Sequence, residues 1–223
     1  MTGFQIKIAA FIFMLFDHSA YLFPETIPKW FRFIGRFSFP AFAFMIAEGC
    51  RKTHSPEKYM LRLGLLAAVC EIPYDLCFNG NISFIEDMNI IWTLLSGAVL
   101  IYIFNLKELR KKPAAKVFCL LCVSAVLDFF DLDYGLYGVL LIFAYYLFES
   151  KPAVILSTVL IFTVKWAKYL YPVSFYTAFW LFSCFGWFLP VLYNGKRGKE
   201  SKYFFYGAYL LHIIVFICLK VFI

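Results

Sequence analysis

Apolar residues fall along this chain in long runs separated by short polar punctuation. Runs of roughly 17–25 mostly apolar residues are the length at which a helix crosses hydrocarbon. They predict helices near 4–23, 34–50, 58–78, 89–106, 115–131, 135–149, 152–170, 173–193 and 203–222. The connectors after the second, fourth, sixth and eighth runs are basic: "RKTHSPEK", "KELRKKPAAK", "ESKP" and "NGKRGKESK". Those on the other parity, "PETIPKWFRF", "NGNISFIEDM", "DFFDLDYG" and "AKYLYPV", are acidic or weakly charged. Lys and Arg concentrate in cytoplasmic loops of membrane proteins. The alternation therefore orients the chain with the N-terminus cytoplasmic and the C-terminus outside. The expected fold is an all-α, polytopic bundle of about nine transmembrane helices, one domain over residues 1–223, in the plasma membrane. The first run is expected to be a permanent helix, because one early Lys and no small-residue cleavage site suit a removed signal poorly.

Composition agrees with that pattern. The 223 residues are 63% hydrophobic, 22% aromatic and 16% charged, where a soluble domain has about a quarter charged. The net charge of +7 then reflects cytoplasmic loops and membrane lipid headgroups, and no nucleic-acid partner is expected. Seven cysteines are scattered. Cys119 and Cys122 form a C-x-x-C inside an apolar run with no polar partners nearby, so helix packing accounts for them and no metal is expected.

The polar residues inside the runs carry the candidate chemistry. In "KIAAFIFMLFDHSAYLFP" Asp17 and His18 arrive before the apolar run has ended. By the helix rise they lie somewhat under 10 Å from the outer end of the first helix. Arg36, Asp75, Asn89, Asp128, Asp131 and Asp133 fall at a similar level, with Glu71 one turn deeper and His212 near mid-depth of the last helix. An ionisable residue costs about 2.5–3.5 kcal/mol at the centre of a spanning helix, so such residues are functional candidates. Arg36 pairing with Asp17 or Asp75 would be enough to neutralise both and fix helix register. A level that gathers a His, two acids, an Arg and an Asn favours reactive chemistry over scaffolding. Neighbours on a helix point about 100° apart, so Asp17 is not assumed to orient the His18 ring. A carboxylate partner for His18 would come from another helix, Asp75 or Asp133. His18 suits removal of a proton from an amine or hydroxyl, and Arg36 suits a developing oxyanion. His212 is either a packed histidine or a second member of the reaction path.

The cytoplasmic end differs. Arg51 and Lys52 follow "AEG", and Lys196, Arg197 and Lys199 sit in the "YNGKRGK" turn with Asn194 and Gly195. Basic side chains on a Gly-rich backbone suit phosphate, while positive-inside topology alone also explains them.

Several stretches, in order, carry a resemblance: "KIAAFIFMLFDH" at the first helix, "RFIGRFSFPAFAFMIAEG" from Arg32, "EIPYD" from Glu71, "DYGLYGVLL" from Asp133, "YNGKRG" from Tyr193 and "KYFFYGAYLLH" from Lys202. Together they resemble the TraX family, with "YLLH" where the family pattern has "YPLH". The resemblance implies a membrane acyltransferase like those that acetylate a pilin N-terminus, similar also to heparan-glucosaminide N-acetyltransferase. It implies cytosolic acetyl-CoA as donor, with Arg51, Asn194, Gly195, Lys196 and Arg197 around its nucleotide. His18 would be general base or transient acyl carrier, with Asp17, Arg36, Asp75 and His212 in the catalytic set. Asn89, Asp133 and Tyr134 would face the acceptor: a protein N-terminus, a glycan or a lipid headgroup. Association with a second copy is compatible with all of this. The competing class is a proton-coupled small-molecule transporter built on the same buried polar cluster, which would bind no CoA.

Overall fold

The computed structural model describes residues 1–83, 87–109, 111–130, 132–171, 174–199 and 202–222. Asp131 lies outside the described residues, as does the side chain of Asp128. In chain order the helices are α1 (Gly3–Leu22), α2 (Phe31–Gly35), α3 (Ser38–Lys52), α4 (Pro56–Tyr74), α5 (Ile90–Phe104), α6 (Pro113–Phe129), α7 (Gly135–Leu147), α8 (Lys151–Trp166), α9 (Phe175–Cys184), α10 (Phe188–Val191) and α11 (Lys202–Phe222). No strand occurs among the described residues, so the fold is all-α.

Every apolar run coincides with a helix or a chain of helical pieces, and the breaks have local causes. The second run divides at Arg36–Phe37 into α2 and α3. The third continues from α4 into a π-helical turn, Asp75–Asn79, closed by Gly80 in the left-handed region (φ 76°). The eighth is α9, a 3-10 turn Phe185–Trp187, then α10. Helices α4, α6 and α8 begin with proline in the first turn, where the missing N–H is no loss. Two stretches, Phe31–Lys52 and Tyr203–Val221, are long and apolar enough to cross a membrane, while 90–104 and 135–147 are shorter apolar helices.

The chain forms two compact units, Met1–Met45 with Leu147–Ile223, and Ile46–Tyr146. In the first unit Ile6 and Ala10 of α1 pack on Ala41 of α3 and Leu189 of α10. In the second, Leu100 of α5 packs on Leu127 of α6, Leu132 and Val139 of α7. The polarity of α4 is reversed relative to a water-soluble helix. Leu61, Leu65, Val69, Ile72 and Leu76 are exposed along one side, while Glu71 and Asp75 are buried. Burying carboxylates while exposing leucines is unfavourable in water and suits a hydrocarbon surround.

The second unit depends on one close crossing. A Cβ on Gly97 of α5 would meet Ile142 of α7, 2.8 Å from its Cγ2 and 3.0 Å from its Cβ. Gly207 of α11 has open space around it. Gly97→Ala is therefore expected to destabilise by about 1–3 kcal/mol, seen as a lower unfolding temperature in detergent. Gly207→Ala is expected to raise that temperature by the helix-propensity gain of up to about 1 kcal/mol.

Candidate functional site

Asp17 and His18 serve different neighbours, as their angular separation on α1 requires. His18 turns toward α11, and its Nδ1 lies 3.1 Å from Nε2 of His212. The two rings stack with centroids 5.3 Å apart and planes 24° apart. Asp17 faces α2 instead. It pairs with Arg36, and its other oxygen accepts from Nε of Arg32 at 3.3 Å. Gly35 permits this approach, because a Cβ there would fall 2.8 Å from Cγ and 3.0 Å from Cα of Asp17. Arg36 Nε also donates to the Arg32 carbonyl at 3.3 Å. The Phe179 ring underlies both guanidiniums, at 5.5 and 5.0 Å, and Tyr21 stacks on Arg32 at 4.8 Å. Two cations on one carboxylate leave a surplus positive charge beside the histidines.

His212 is 6% exposed and ringed by Phe11, Tyr209 and Phe216. Its Nδ1 is buried without a hydrogen-bond partner of good geometry. In the tautomer with the proton on Nδ1 of His18, Nε2 of His212 accepts it and the basic lone pair of His18 falls on its Nε2. A histidine whose far nitrogen is fixed in this way presents one defined basic atom. With Leu210 where the family pattern has proline, α11 runs unbroken past His212.

The remaining sequence-predicted candidates belong to the second unit. Asn89 caps α5 through Oδ1, which accepts from the Ile91 N–H at 3.0 Å. Its Nδ2 donates to Glu71 and, at 2.9 Å, to the Ala67 carbonyl. Trp92 Nε1 donates to the same Glu71 oxygen at 2.8 Å. Asp75 accepts from Asn79 at 2.9 Å and from the Ser83 N–H at 2.7 Å, holding the π-helical turn and the strand of loop beyond it. The Asp133 carbonyl accepts from Thr93 Oγ1 at 2.5 Å, and Tyr134 takes a positive φ of 61° before Gly135. The structure thus joins Asp17, His18, Arg36 and His212 in the first unit, and gives Asp75, Asn89, Asp133 and Tyr134 contacts within the second.

At the basic end Arg51 is bound within the protein. Its guanidinium donates to Glu48 at 3.0 and 3.2 Å and to the Tyr145 and Tyr146 carbonyls at 2.7 and 3.1 Å. It closes the last turn of α7 as a basic side chain at a helix C-terminus does. The "NGKRG" turn does the same for α1 at the opposite pole. Gly195 (φ 77°) and Gly198 (φ 78°) let its backbone curl, and the Asn194 side chain accepts from the Lys196 N–H at 3.1 Å. The Lys196 and Arg197 carbonyls then accept from the first N–H groups of α1, on Gly3 and Phe4, at 2.9 and 3.0 Å. Thr2 and Gln5 complete a capping box. The side chains of Lys196 and Arg197 stay exposed. The basic turn and His18 therefore sit at opposite ends of α1, about 22 Å apart by helix rise.

Two residues of the site escaped the sequence reading. Arg32 stands four residues before Arg36, a spacing that puts both on one side of a helix. Trp92 stands three after Asn89 in the first turn of α5, where its N–H can reach what the capping residue reaches.

Comparison with known proteins bears on this arrangement. A curated relative, the probable fimbrial assembly protein FimC, serogroup H1, of Dichelobacter nodosus, is 26% identical over 252 aligned residues, covering 100% of this chain and 97% of its own. No solved structure matches the chain. The family model described as TraX protein matches residues 2–220, which includes both histidines, the arginine pair and the basic turn. By that match over nearly its whole length, the chain belongs to the TraX family.

Proposed function

We propose that this protein is an integral-membrane acyltransferase that moves an acetyl group from cytosolic acetyl-CoA to an acceptor at or beyond the outer face. The observation that carries the reading is the His18–His212 pair at 3.1 Å, set beside the Asp17–Arg32–Arg36 cluster and joined through α1 to an exposed basic turn. The membrane setting rests on the reversed polarity of α4, on the two stretches long and apolar enough to cross, and on the alternating charge of the connectors. In this reading nine helical segments cross the plasma membrane with the N-terminus inside. The shorter helices, α5, α7 and α8, fall below the usual hydrocarbon thickness, a mismatch met by local bilayer thinning.

Lys196 and Arg197 hold the phosphates of the donor, with the Asn194–Gly195 bend presenting them. Arg51, with its donors turned to Glu48 and α7, contributes through the fold. The pantetheine arm runs along α1 toward His18. There Nε2 of His18 takes the proton of an amine or hydroxyl as that group attacks the thioester carbonyl. The positive surplus of Arg32 and Arg36 stabilises the oxyanion. Collapse breaks the carbon–sulfur bond, and His18 returns the proton to the departing thiolate. A transient acyl-imidazole on His18 is the covalent version of the same step. His212 positions the ring by accepting from Nδ1. The relative's name ties it to fimbrial assembly, and a subunit of a surface fibre is the acceptor class that name suggests. Asn89, Asp133 and Tyr134, within the second unit, are the residues proposed to contact the acceptor.

Labelled acetyl-CoA with the purified protein in nanodiscs tests the reading. His18→Ala is expected to lower acetyl transfer or acetyl-CoA hydrolysis by about 10²–10⁴-fold, with an unchanged helical circular-dichroism signal. His212→Gln, which keeps an acceptor for Nδ1–H, should retain more activity than His212→Phe. Equal activity in all four proteins would exclude the histidine mechanism.

Replacing Lys196 and Arg197 by Ala should leave the turn standing, because it caps α1 through main-chain carbonyls. The expected result is a KM for acetyl-CoA raised by about tenfold per lost phosphate contact, about 1.4 kcal/mol each, at unchanged kcat. Saturation kinetics on the single and double variants measures it.

A further inference from the structure

A cleft of about 390 Å³ opens on the first unit, lined by Phe37, Leu181, Phe182, Phe185 and Phe188. Its lining contains no polar surface, and Leu181, Phe185 and Phe188 are each nearly half exposed. Water needs two to four polar partners to stay in such a place, so the cleft selects an apolar occupant. Its volume lies at the low end of the range for ligand pockets, roughly 300–1,000 Å³. The walls are held by ring contacts: Phe37 packs on Phe13 at 5.7 Å and on Phe182 at 6.0 Å.

One end of the cleft adjoins the arginine cluster. The Phe33 ring stacks on Phe182 at 5.4 Å with planes 20° apart, and meets Phe179 at 5.5 Å. Phe179 in turn lies under Arg32 and Arg36. From there α9 leads from Phe179 to Phe182, and the next turns lead to Phe185 and Phe188. An apolar slot therefore starts one ring away from two cations that share one carboxylate. Of these, Arg32 is the accessible one, with 29% of its side chain exposed against 12% for Arg36. Charge of one sign at the head of a slot without polar lining is complementary to an amphiphile with an anionic head and a linear apolar tail.

We propose that this cleft seats an anionic phospholipid of the surrounding bilayer, with one acyl chain among Phe37, Leu181, Phe182, Phe185 and Phe188 and its phosphate against Arg32. The inference rests on the membrane reading given above, and not on the acetyl-transfer chemistry. In that orientation the arginines lie near the outer end of α1 and the slot descends from them toward the bilayer centre. A seated lipid has the same polarity.

Native mass spectrometry of detergent-purified protein, delipidated and titrated with phosphatidylglycerol or phosphatidylcholine, tests this. Wild type is expected to take up one phosphatidylglycerol at least fivefold more tightly than phosphatidylcholine. Leu181→Trp, which fills the slot, should weaken both lipids by tenfold or more. Phe188→Trp is the second plug should the first variant not fold, as judged by circular dichroism. Arg32→Gln should weaken phosphatidylglycerol more than phosphatidylcholine and so narrow the preference, because both lipids present a phosphate but only phosphatidylglycerol is net anionic. Equal uptake of the two lipids by wild type, or unchanged uptake in a folded plug variant, would overturn the seat. So would a plug variant that loses only dimers, because the slot would then belong to a second copy of the chain. Carbonate extraction of cell membranes decides the membrane reading separately. A chain that stays in the membrane yet shows no phospholipid adduct refutes the seat alone.

Discussion

Asp17 held between Arg32 and Arg36 is the contact on which the arrangement of the first unit depends. A carboxylate in an apolar surround needs a cation or hydrogen-bond donors, and removing one member of a buried ion pair costs about 3–5 kcal/mol. Satisfying Asp17 draws the short helix α2 onto α1 so closely that only glycine fits at position 35. The same contact settles the orientation of α1. With Asp17 facing α2, the next residue on the helix faces α11, and His18 meets His212. The aromatic layer of Phe33, Phe179 and Phe182 follows from the same two arginines, which lie over its rings.

Much of this was legible in the residues. Apolar run length placed helix under each run, since long apolar runs leave few alternatives to a helix, but not the breaks that divide the runs into shorter pieces. The Asp17–Arg36 pair was legible too, as one of two ways to neutralise a buried acid. The contact between His18 and a second histidine was not. Its partner is His212, 194 residues away, and nothing local distinguishes a histidine aimed at another histidine from one packed among phenylalanines. The division of the second run at Arg36–Phe37 was hidden because both halves are equally apolar. Arg51 shows the complementary difficulty. A basic residue after a spanning helix reads as a loop charge, whereas here it binds Glu48 and two carbonyls at the end of α7, a role visible only once the helices are packed.

In the second unit Glu48 is likewise held by cations, Arg51 and Lys52, but Glu71 and Asp75 are held by neutral donors. Glu71, 2% exposed, leans on an amide and an indole, and Asp75, fully buried, on an amide and a backbone N–H. Both oxygens of Asp75 are satisfied in this way, whereas both donors to Glu71 reach one oxygen and leave Oε1 buried without a hydrogen bond. The π-helical turn at Asp75–Asn79 belongs to this solution, because it is the local rewinding that brings Asn79 back over the carboxylate. Buried acids in this chain are thus held by two means, cation pairs at Asp17 and Glu48 and neutral donors at Glu71 and Asp75.

The Lys196 and Arg197 carbonyls that cap α1 carry a consequence for how the protein is made. Helix α1 emerges from the ribosome first, yet its opening turn lacks its final acceptors until the segment before α11 has been synthesised, and His18 lacks His212 until later still. Both closures join residues nearly a full chain length apart, the class of contact that forms last because the loop entropy is lost before the contact is gained. During synthesis the earliest helix therefore waits in the bilayer with its polar groups unanswered. A chain stalled or cut before α11 would hold the acid and its arginines but not the paired imidazoles. The histidine pair thus exists only once α11 is in place, so this helix decides whether the site is assembled.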